Sequence, residues 1–196
     1  MAQTINQADE DNTAWRRALR REMVARRGSL DDVAHLELSS RIVSHLRASL
    51  PVPAIFAFCW PIKHEPDVRA LIPHWQAAGA QAALPVVVEP EAPLAFRLWQ
   101  AETPLVEDRY GIPTPAAGPF VQPDLLLMPL NGFDADGYRL GYGGGFFDRT
   151  LAALTPRPLA VGVGFECNRL PSIRPQPHDQ RLDWLVTEAG AFKLAA

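Results

Sequence analysis

Residues 139–149 of the chain read RLGYGGGFFDR, and they join an apolar run to a helical pattern. Four glycines fall between Gly141 and Gly145, with Arg139 before them and Asp148 after them. Glycine permits positive φ angles and lets a ligand approach the main chain closely, at an entropic cost relative to alanine. Such a dense run beside two charged side chains indicates a loop that holds something against its backbone.

The segments on either side of this loop predict the fold class. Residues 123–130, PDLLLMPL, are nearly all apolar, as in buried central strands, and residues 146–154, FFDRTLAAL, have a helical pattern. The same criteria predict further strands at 53–60, 81–88, 93–99, 158–165 and 183–188, and helices at 14–27, about 31–49 and 66–79. Because strands alternate with helices, we expect an α/β fold, a three-layer α/β/α single domain with a mostly parallel central sheet and N-terminal helices.

Composition excludes several classes of protein. A chain of 196 residues can bury a proper core as one domain, and its hydrophobic fraction of 47% is ordinary for a soluble globular protein. The net charge of −3 argues against a nucleic-acid partner, whose protein domain is usually basic. No run approaches the roughly 18 apolar residues of a membrane span, so we expect no membrane partner. We expect a monomer.

The N-terminus and the cysteines point to the cytoplasm. Residues 1–15 are polar and acidic and have no apolar signal-peptide region, so we expect a disordered leader over residues 1–12. Cys59 and Cys167 lack CxxC spacing, which argues against a zinc site or a disulfide framework.

Residues 100–122 are rich in proline, threonine and glycine and fit no predicted helix or strand. Loops of that length are often functional or disordered.

The position of the glycine loop suggests a phosphate site. Open α/β sheets bind ligands beyond the carboxyl ends of their strands, and the N–H groups of a glycine-rich turn with a following helix N-terminus attract anions. Arg139 can add a fork of donors, and Asp148 can hold a divalent cation. The loop lacks the spacing of the Walker A and dinucleotide motifs. A tight turn without a ligand is the alternative, which four glycines between two charged residues disfavour.

A specific family resemblance follows from the longer motif PLNGFDADGYRLGYGGGFFDRTL at 129–151, which resembles the signature of the 5-formyltetrahydrofolate cyclo-ligase family. The matching positions are Pro129, Phe133, Asp134, Gly137, Arg139, Leu140, Gly141, Gly143, Gly145 and Asp148. Weaker matches occur in the same order along the chain: RRALR at 16–20, WPIKHEPD at 60–67, YGIPTP at 110–115 and PQPHDQRLDWLVTE at 175–188.

The resemblance implies an enzyme that uses ATP and Mg²⁺ to convert 5-formyltetrahydrofolate to 5,10-methenyltetrahydrofolate, releasing ADP and phosphate. In this reaction the formyl oxygen is phosphorylated to an imidate phosphate before N10 attacks. Catalysis of phosphoryl transfer is mostly positioning and charge neutralisation, which suits arginine, backbone N–H groups and a metal ion. The resemblance therefore implies that residues 13–196 form a single ATP- and folate-binding catalytic domain.

Site residues carry over position by position. Arg139 and Asp148 would be catalytic, and Asp148 and Asp179 would bind magnesium. The substrate site would contain Trp60, Glu65, Tyr142 and Phe146. ATP would contact Arg16, Arg20, Arg139, Leu140, Gly141, Tyr142, Gly143, Gly144, Gly145, Phe146 and Phe147.

The chain departs from the family pattern at three of these positions. Arg16 stands where lysine is usual, and Phe146 and Phe147 stand where two tyrosines are common, so no hydroxyl there can transfer a proton.

Some of these residues also have non-functional interpretations. The arginines of the first helix could form a solvated face, Trp60 could pack in the core, and Glu65 could be a surface charge. Two other functions stay open: a non-catalytic nucleotide- or folate-binding relative, and another phosphate-handling α/β enzyme such as a sugar-phosphate isomerase.

Overall fold

The centre of the molecule is a mixed sheet. The computed structural model describes residues 2–195, with side chains from residue 11 onward. The strands found there are β1 (Ile55–Ala57), β2 (Gln81–Val86), β3 (Ala95–Trp99), β4 (Leu105–Glu107), β5 (Pro113–Pro115), β6 (Phe120–Val121), β7 (Leu125–Pro129), β8 (Gly132–Phe133), β9 (Arg139–Leu140), β10 (Leu159–Val163), β11 (Trp184–Thr187) and β12 (Gly190–Lys193).

Strand order confirms the predicted sheet and places its most apolar strand inside it. Within residues 2–195, eight strands form the main sheet in the order β12-β11-β10-β7-β1-β2-β3-β6. The strands from β11 to β2 run parallel, whereas β12, β3 and β6 pair antiparallel at the edges. The pairs β4–β5 and β8–β9 are separate two-stranded sheets. Residues 100–122, which fitted no predicted element, thus supply three short strands.

The helices are α1 (Ala2–Gly28), α2 (Asp32–Ser49), α3 (Ile72–Ala77) and α4 (Phe146–Ala153). Asp31 caps α2 by accepting a hydrogen bond from the backbone N–H of Ala34 at 2.8 Å. The predicted helix at 66–79 is shorter than expected: a 3₁₀ turn precedes α3, because Pro73 lacks an N–H group and fits only the first helical turn. The leader expected over residues 1–12 falls mostly outside the residues with described side chains and stays a prediction.

Two apolar layers cover the sheet. On β7, Leu125 and Leu127 pack in the cluster that contains the buried side chains of α2 and α3. Leu126 and Met128 face the opposite side, where Leu151 of α4 packs. This alternation follows from the two-residue period of a strand, and it gives the predicted three layers. Across residues 2–195, no helix is both long and apolar enough to cross a bilayer.

Helix α1 lies against the segment that carries the glycine motif. Leu19 and Met23 of α1 form a small buried cluster with Leu140 and Ile173. The buried Asn168 side chain donates hydrogen bonds to the carbonyl oxygens of Met23 and Asn131, at 3.2 and 3.0 Å. These contacts bring the arginines of α1 beside the glycine loop.

Replacing Leu127 with alanine tests the assignment of the central strand. Because its side chain is 3% exposed in the larger apolar cluster, Leu127→Ala should lower the free energy of unfolding by about 2–5 kcal/mol. Leu36→Ala is the matched control, since Leu36 is 71% exposed on α2 and should change stability little. Urea denaturation measures both, and equal effects would contradict the packing described here.

Candidate active site

A groove of about 940 Å³ opens beside the glycine loop and the N-terminus of α4. Residues from four separate parts of the chain meet in it, so the fold, and not one local motif, creates this space. The lining residues are Pro90, Glu91, Arg109, Tyr110, Gly143, Gly144, Gly145, Phe146, Asp148, Arg149, Ala152, His178 and Gln180.

Two glycines of the loop are required by its backbone geometry. Gly145 caps α4 at φ 64°, and Gly143 has φ 99°, both in the left-handed region that side chains disfavour. A Cβ atom on Gly143 would also lie 3.2 Å from the guanidinium carbon of Arg20. The first N–H groups of α4 have no acceptors within the helix and border the groove, so this end of the helix favours an anion.

Arg139 and Asp148 form an ion pair at the edge of this groove. The Nη2 of Arg139 donates to Asp148 Oδ1 at 2.8 Å, and its Nη1 donates to the Gln180 carbonyl oxygen at 2.6 Å. The Gln180 N–H donates to the same Asp148 oxygen at 2.9 Å. Arg139 is only 6% exposed and lies behind Asp148, which lines the groove. Arg139 therefore orients Asp148, and its direct contact with ATP stays a prediction.

Asp179, the second carboxylate assigned to magnesium, pairs with Arg16. Their closest nitrogen and oxygen atoms lie 3.1 Å apart, and the Gln176 N–H donates to Asp179 Oδ2 at 2.7 Å. The contact between Gln180 and Asp148 brings the two acidic segments together. Among the residues with described side chains, no group of three or more acidic, histidine or cysteine residues is arranged to hold a metal. Magnesium bound by one carboxylate and substrate phosphates fits Asp148, whereas Asp179 is already engaged.

The arginines of α1 lie on two different faces. Arg16 is 6% exposed, and Arg20 donates from Nε to the Gly141 carbonyl oxygen at 2.9 Å. Burial, and next the charge of Arg16, lowers the pKa of Arg20, so positive charge is crowded here and an anion nearby would relieve it. Arg17 and Arg21 are exposed. A solvated face is thus the correct interpretation for Arg17 and Arg21 but wrong for Arg16, which is buried.

Glu65 is buried beneath Tyr142. The carboxylate is 2% exposed, and it accepts hydrogen bonds from the Tyr142 hydroxyl at 2.7 Å and from the Ile62 N–H at 3.0 Å. Burial raises the pKa of Glu65, while those two hydrogen bonds and the charges of Arg27 and Lys63 act in the opposite direction. The interpretation of Glu65 as a surface charge is therefore wrong. A ring that contacts this carboxylate must share it with the Tyr142 hydroxyl, displace that hydroxyl or act through it.

Arg27, which the sequence did not single out, completes this cluster. Its side chain is fully buried, and Nη2 donates to the Tyr142 hydroxyl at 2.8 Å while Nε donates to the Lys63 carbonyl oxygen at 2.8 Å. The available signal was its spacing: Arg27 follows the apolar Met23 by four residues and so shares the inward face of α1.

Trp60 has a different environment from Glu65. Its ring makes an edge contact with Trp99, with centroids 6.1 Å apart, and the guanidinium of Arg69 lies 5.0 Å from the ring centre. It is half-buried against the larger apolar cluster, which favours core packing. No hydrogen bond or ring contact among the described side chains joins it to Glu65, so its role in folate binding stays a prediction.

The remaining assigned positions differ in whether they line the groove. Phe146 lines the groove and makes an edge contact with Tyr110, with centroids 5.9 Å apart. The contacts of Leu140 and Phe147 with ATP stay a prediction. Leu140 is fully buried and its carbonyl oxygen accepts from the Asn131 N–H, while Phe147 packs on the core beneath α4, so neither side chain lines the groove.

Comparisons with known proteins agree on one family. A model of the 5-formyltetrahydrofolate cyclo-ligase family matches residues 12–188. The chain is 27% identical over 175 residues to the 5-formyltetrahydrofolate cyclo-ligase of Haemophilus influenzae, covering 83% of this chain and 91% of that protein.

Two solved structures of 5,10-methenyltetrahydrofolate synthetases have similar folds. The enzyme from Aquifex aeolicus gives a TM-score of 0.78 at 28% identity, covering 92% of this chain and 93% of its own. The enzyme from Mycoplasma pneumoniae gives a TM-score of 0.72 at 25% identity, and the match covers 88% of this chain and 98% of that enzyme's chain.

Substituting the loop glycines tests the backbone requirement. Gly143→Ala should lower the free energy of unfolding by about 1–3 kcal/mol, because alanine is strained at φ 99°. Gly141→Ala is the control for stability, since Gly141 has no positive φ and open space around its Cβ position. Thermal unfolding compares the two, and a Gly143 variant as stable as the Gly141 variant would contradict the loop geometry.

Proposed function

Because this chain belongs to the 5-formyltetrahydrofolate cyclo-ligase family, we propose that it converts 5-formyltetrahydrofolate to 5,10-methenyltetrahydrofolate and couples this reaction to the conversion of ATP to ADP and phosphate. The observation that carries the proposal is the family match over residues 12–188, which includes the glycine motif and all the proposed site residues.

The groove beside α4 is the proposed site for the phosphates of ATP. It offers the N–H groups at the start of α4, a left-handed glycine turn and the nearby charge of Arg20. Phosphate oxygens need such donors, held in place before the reaction, to stabilise charge as it develops. Phe146 and Tyr110 add aromatic surface along the same groove.

Asp148 is the proposed carboxylate for magnesium, because it lines the groove and Arg139 fixes only one of its oxygens among the described contacts. Magnesium, when bound, neutralises the charge on the transferred phosphate. Asp179 can take part through a water molecule or by leaving Arg16. Arg139 restrains the rotation of Asp148, so the other carboxylate oxygen is held in one orientation toward the proposed magnesium site.

The proposed reaction has two steps. The formyl oxygen attacks the γ-phosphorus of ATP, so a new oxygen–phosphorus bond forms as the bond to ADP breaks. The N10 nitrogen then attacks the formyl carbon, the carbon–oxygen bond breaks, phosphate leaves and the N10 proton is released. The first step turns a poor leaving group into a good one, and no nucleophilic serine or cysteine is needed.

Glu65 and Tyr142 are proposed to bind the folate ring. The carboxylate can accept hydrogen bonds from ring N–H groups, since each of its oxygens has a second lone pair. Tyr142 immediately precedes Gly143, which lines the groove, and this supports a folate contact next to the proposed phosphate site. The folate ring would thus bind beside the phosphate that its formyl oxygen attacks.

The direct test is to mix the purified protein with 5-formyltetrahydrofolate, ATP and Mg²⁺ and to follow the absorbance of methenyltetrahydrofolate. Absorbance should rise only when all three are present, and ADP should form in equal amount. Folate or nucleotide binding without turnover would indicate a non-catalytic relative. Turnover of a sugar phosphate without ATP would indicate an isomerase and would overturn the proposal.

Asp148→Asn should weaken the response to magnesium more than it weakens folate binding, because a neutral amide is a poorer magnesium ligand than a carboxylate. The rate as a function of Mg²⁺ concentration measures this at saturating ATP and folate. Asp136→Asn is the control, since Asp136 is exposed and does not line the groove. Unchanged magnesium dependence in Asp148→Asn would exclude Asp148 as the ligand.

Glu65→Gln should raise the KM for 5-formyltetrahydrofolate by about tenfold or more, because a buried acceptor of ring N–H groups discriminates strongly. The KM for ATP should change far less. Glu37→Gln, on the exposed surface of α2, is the control. Equal increases in both KM values would refute the folate assignment.

The same variant changes the pH dependence of stability. Because burial raises the pKa of Glu65, its contribution to stability is complete below the ordinary glutamate pKa and is lost as pH rises through the raised value. Glu65→Gln should remove this loss, which denaturation at several pH values can measure.

A further inference from the structure

We propose that Arg27 is a positioning residue of the folate site, which fixes the Glu65 carboxylate by binding both the turn that carries it and the tyrosine that covers it. This inference rests on the proposed function, because Glu65 matters to it as a folate ligand.

The turn before Glu65 has an unusual backbone. Lys63 and His64 have φ angles of 48° and 57°, which are uncommon for residues other than glycine. The Glu65 N–H donates to the Ile62 carbonyl oxygen at 2.9 Å, and the Ile62 N–H donates to the Glu65 carboxylate at 3.0 Å. Arg27 binds this turn from α1 through the Lys63 carbonyl oxygen, so it stabilises the conformation that points Glu65 inward.

Arg27 also determines which way the Tyr142 hydroxyl points. A guanidinium group only donates hydrogen bonds, so the hydroxyl oxygen accepts from Arg27 and its single hydrogen goes to Glu65. The carboxylate thereby receives a hydrogen bond of fixed direction. Without Arg27, the hydroxyl oxygen loses its described donor, and the contact with Glu65 is the only described hydrogen bond that holds it in place.

Burying the Arg27 guanidinium costs desolvation free energy, which favours a specific role for it at this position. It is fully buried, and within the described residues it forms no ion pair with a carboxylate. Its Nη1 donates to the Leu130 carbonyl oxygen at 3.4 Å, at the end of the central strand β7. A buried charge without an ionic partner is destabilising, and here Tyr142 links Arg27 by hydrogen bonds to the Glu65 carboxylate.

Several groups face Glu65, and they set the expected pH effect. Arg27 comes from α1 and Lys63 from the same turn, and both lower the pKa of Glu65. Tyr142 comes from the glycine loop, and Cys59, just after β1, interacts electrostatically with the carboxylate. His35 of α2 forms a hydrogen bond to the Glu65 carbonyl oxygen at 2.9 Å. Removing the charge of Arg27 should therefore raise the pKa of Glu65.

The experiment compares Arg27→Met and Arg27→Lys with the control Arg26→Met in the full-length protein. Arg26 is the adjacent arginine, on the exposed side of α1, where it pairs with Glu22. Steady-state kinetics give kcat and the KM for each substrate, and the pH profile of kcat/KM for 5-formyltetrahydrofolate gives its acid limb. Thermal unfolding of each variant shows whether it is folded.

Arg27→Met should raise the folate KM by about tenfold or more and leave the ATP KM within about twofold. Its acid limb should move to higher pH, because Glu65 has lost a stabilising positive charge. In Arg27→Lys the acid limb should shift less than in Arg27→Met, because the positive charge remains. The folate KM should still rise, since an ammonium group cannot form the paired hydrogen bonds of a planar guanidinium. A purely structural role would lower the unfolding temperature without changing the ratio of the two KM values or the acid limb.

Wild-type folate KM and acid limb in folded Arg27 variants would overturn this inference. If Arg27→Met does not fold, a double-mutant cycle of Arg27→Lys with Tyr142→Phe decides: non-additive effects on the folate KM support the inference, and additive effects overturn it. A wild-type protein that forms no methenyltetrahydrofolate would instead overturn the proposed function. The two failures are thus distinguishable.

Discussion

The burial of arginine side chains is the physical constraint on which the site depends. Arg16, Arg27 and Arg139 are each 6% exposed or less. Removing a guanidinium from water costs several kcal/mol unless hydrogen bonds and opposite charges compensate for it. Arg139 is compensated by Asp148 and Arg16 by Asp179, so the need to satisfy the buried arginines also determines where these carboxylates lie.

The glycine loop joins two sites that the proposed reaction needs side by side. Tyr142 faces Glu65, and the next three residues line the groove. A bulkier loop could not do both, because Gly143 needs a positive φ and leaves room for Arg20. Phosphoryl transfer requires donor and acceptor atoms to be held in line. Because one short loop carries both Tyr142 and the groove glycines, the two proposed sites are adjacent.

The sequence predicted the features that arise from local signals. The sequence predicted β7 from an apolar run, the glycine loop from a glycine cluster and α4 from a helical period. Each of these signals lies within a short stretch of consecutive residues. Arg27 was missed because its partners, Lys63 and Tyr142, are 36 and 115 positions away. Its spacing from Met23 indicates the inward face of α1, but only the packing of α1 against the loop shows which groups its buried guanidinium binds.

The two carboxylates that the family resemblance assigned to magnesium are not equivalent in the structure. Asp148 lines the groove, and its partner Arg139 is anchored a second time by the Gln180 carbonyl oxygen. Asp179 is the only acidic partner of Arg16 among the described ion pairs. Removing Asp179 would leave a buried guanidinium uncompensated, so a loss of magnesium response in such a variant would not identify a ligand. Asp148 is the position at which the magnesium response separates metal binding from the support of a buried charge.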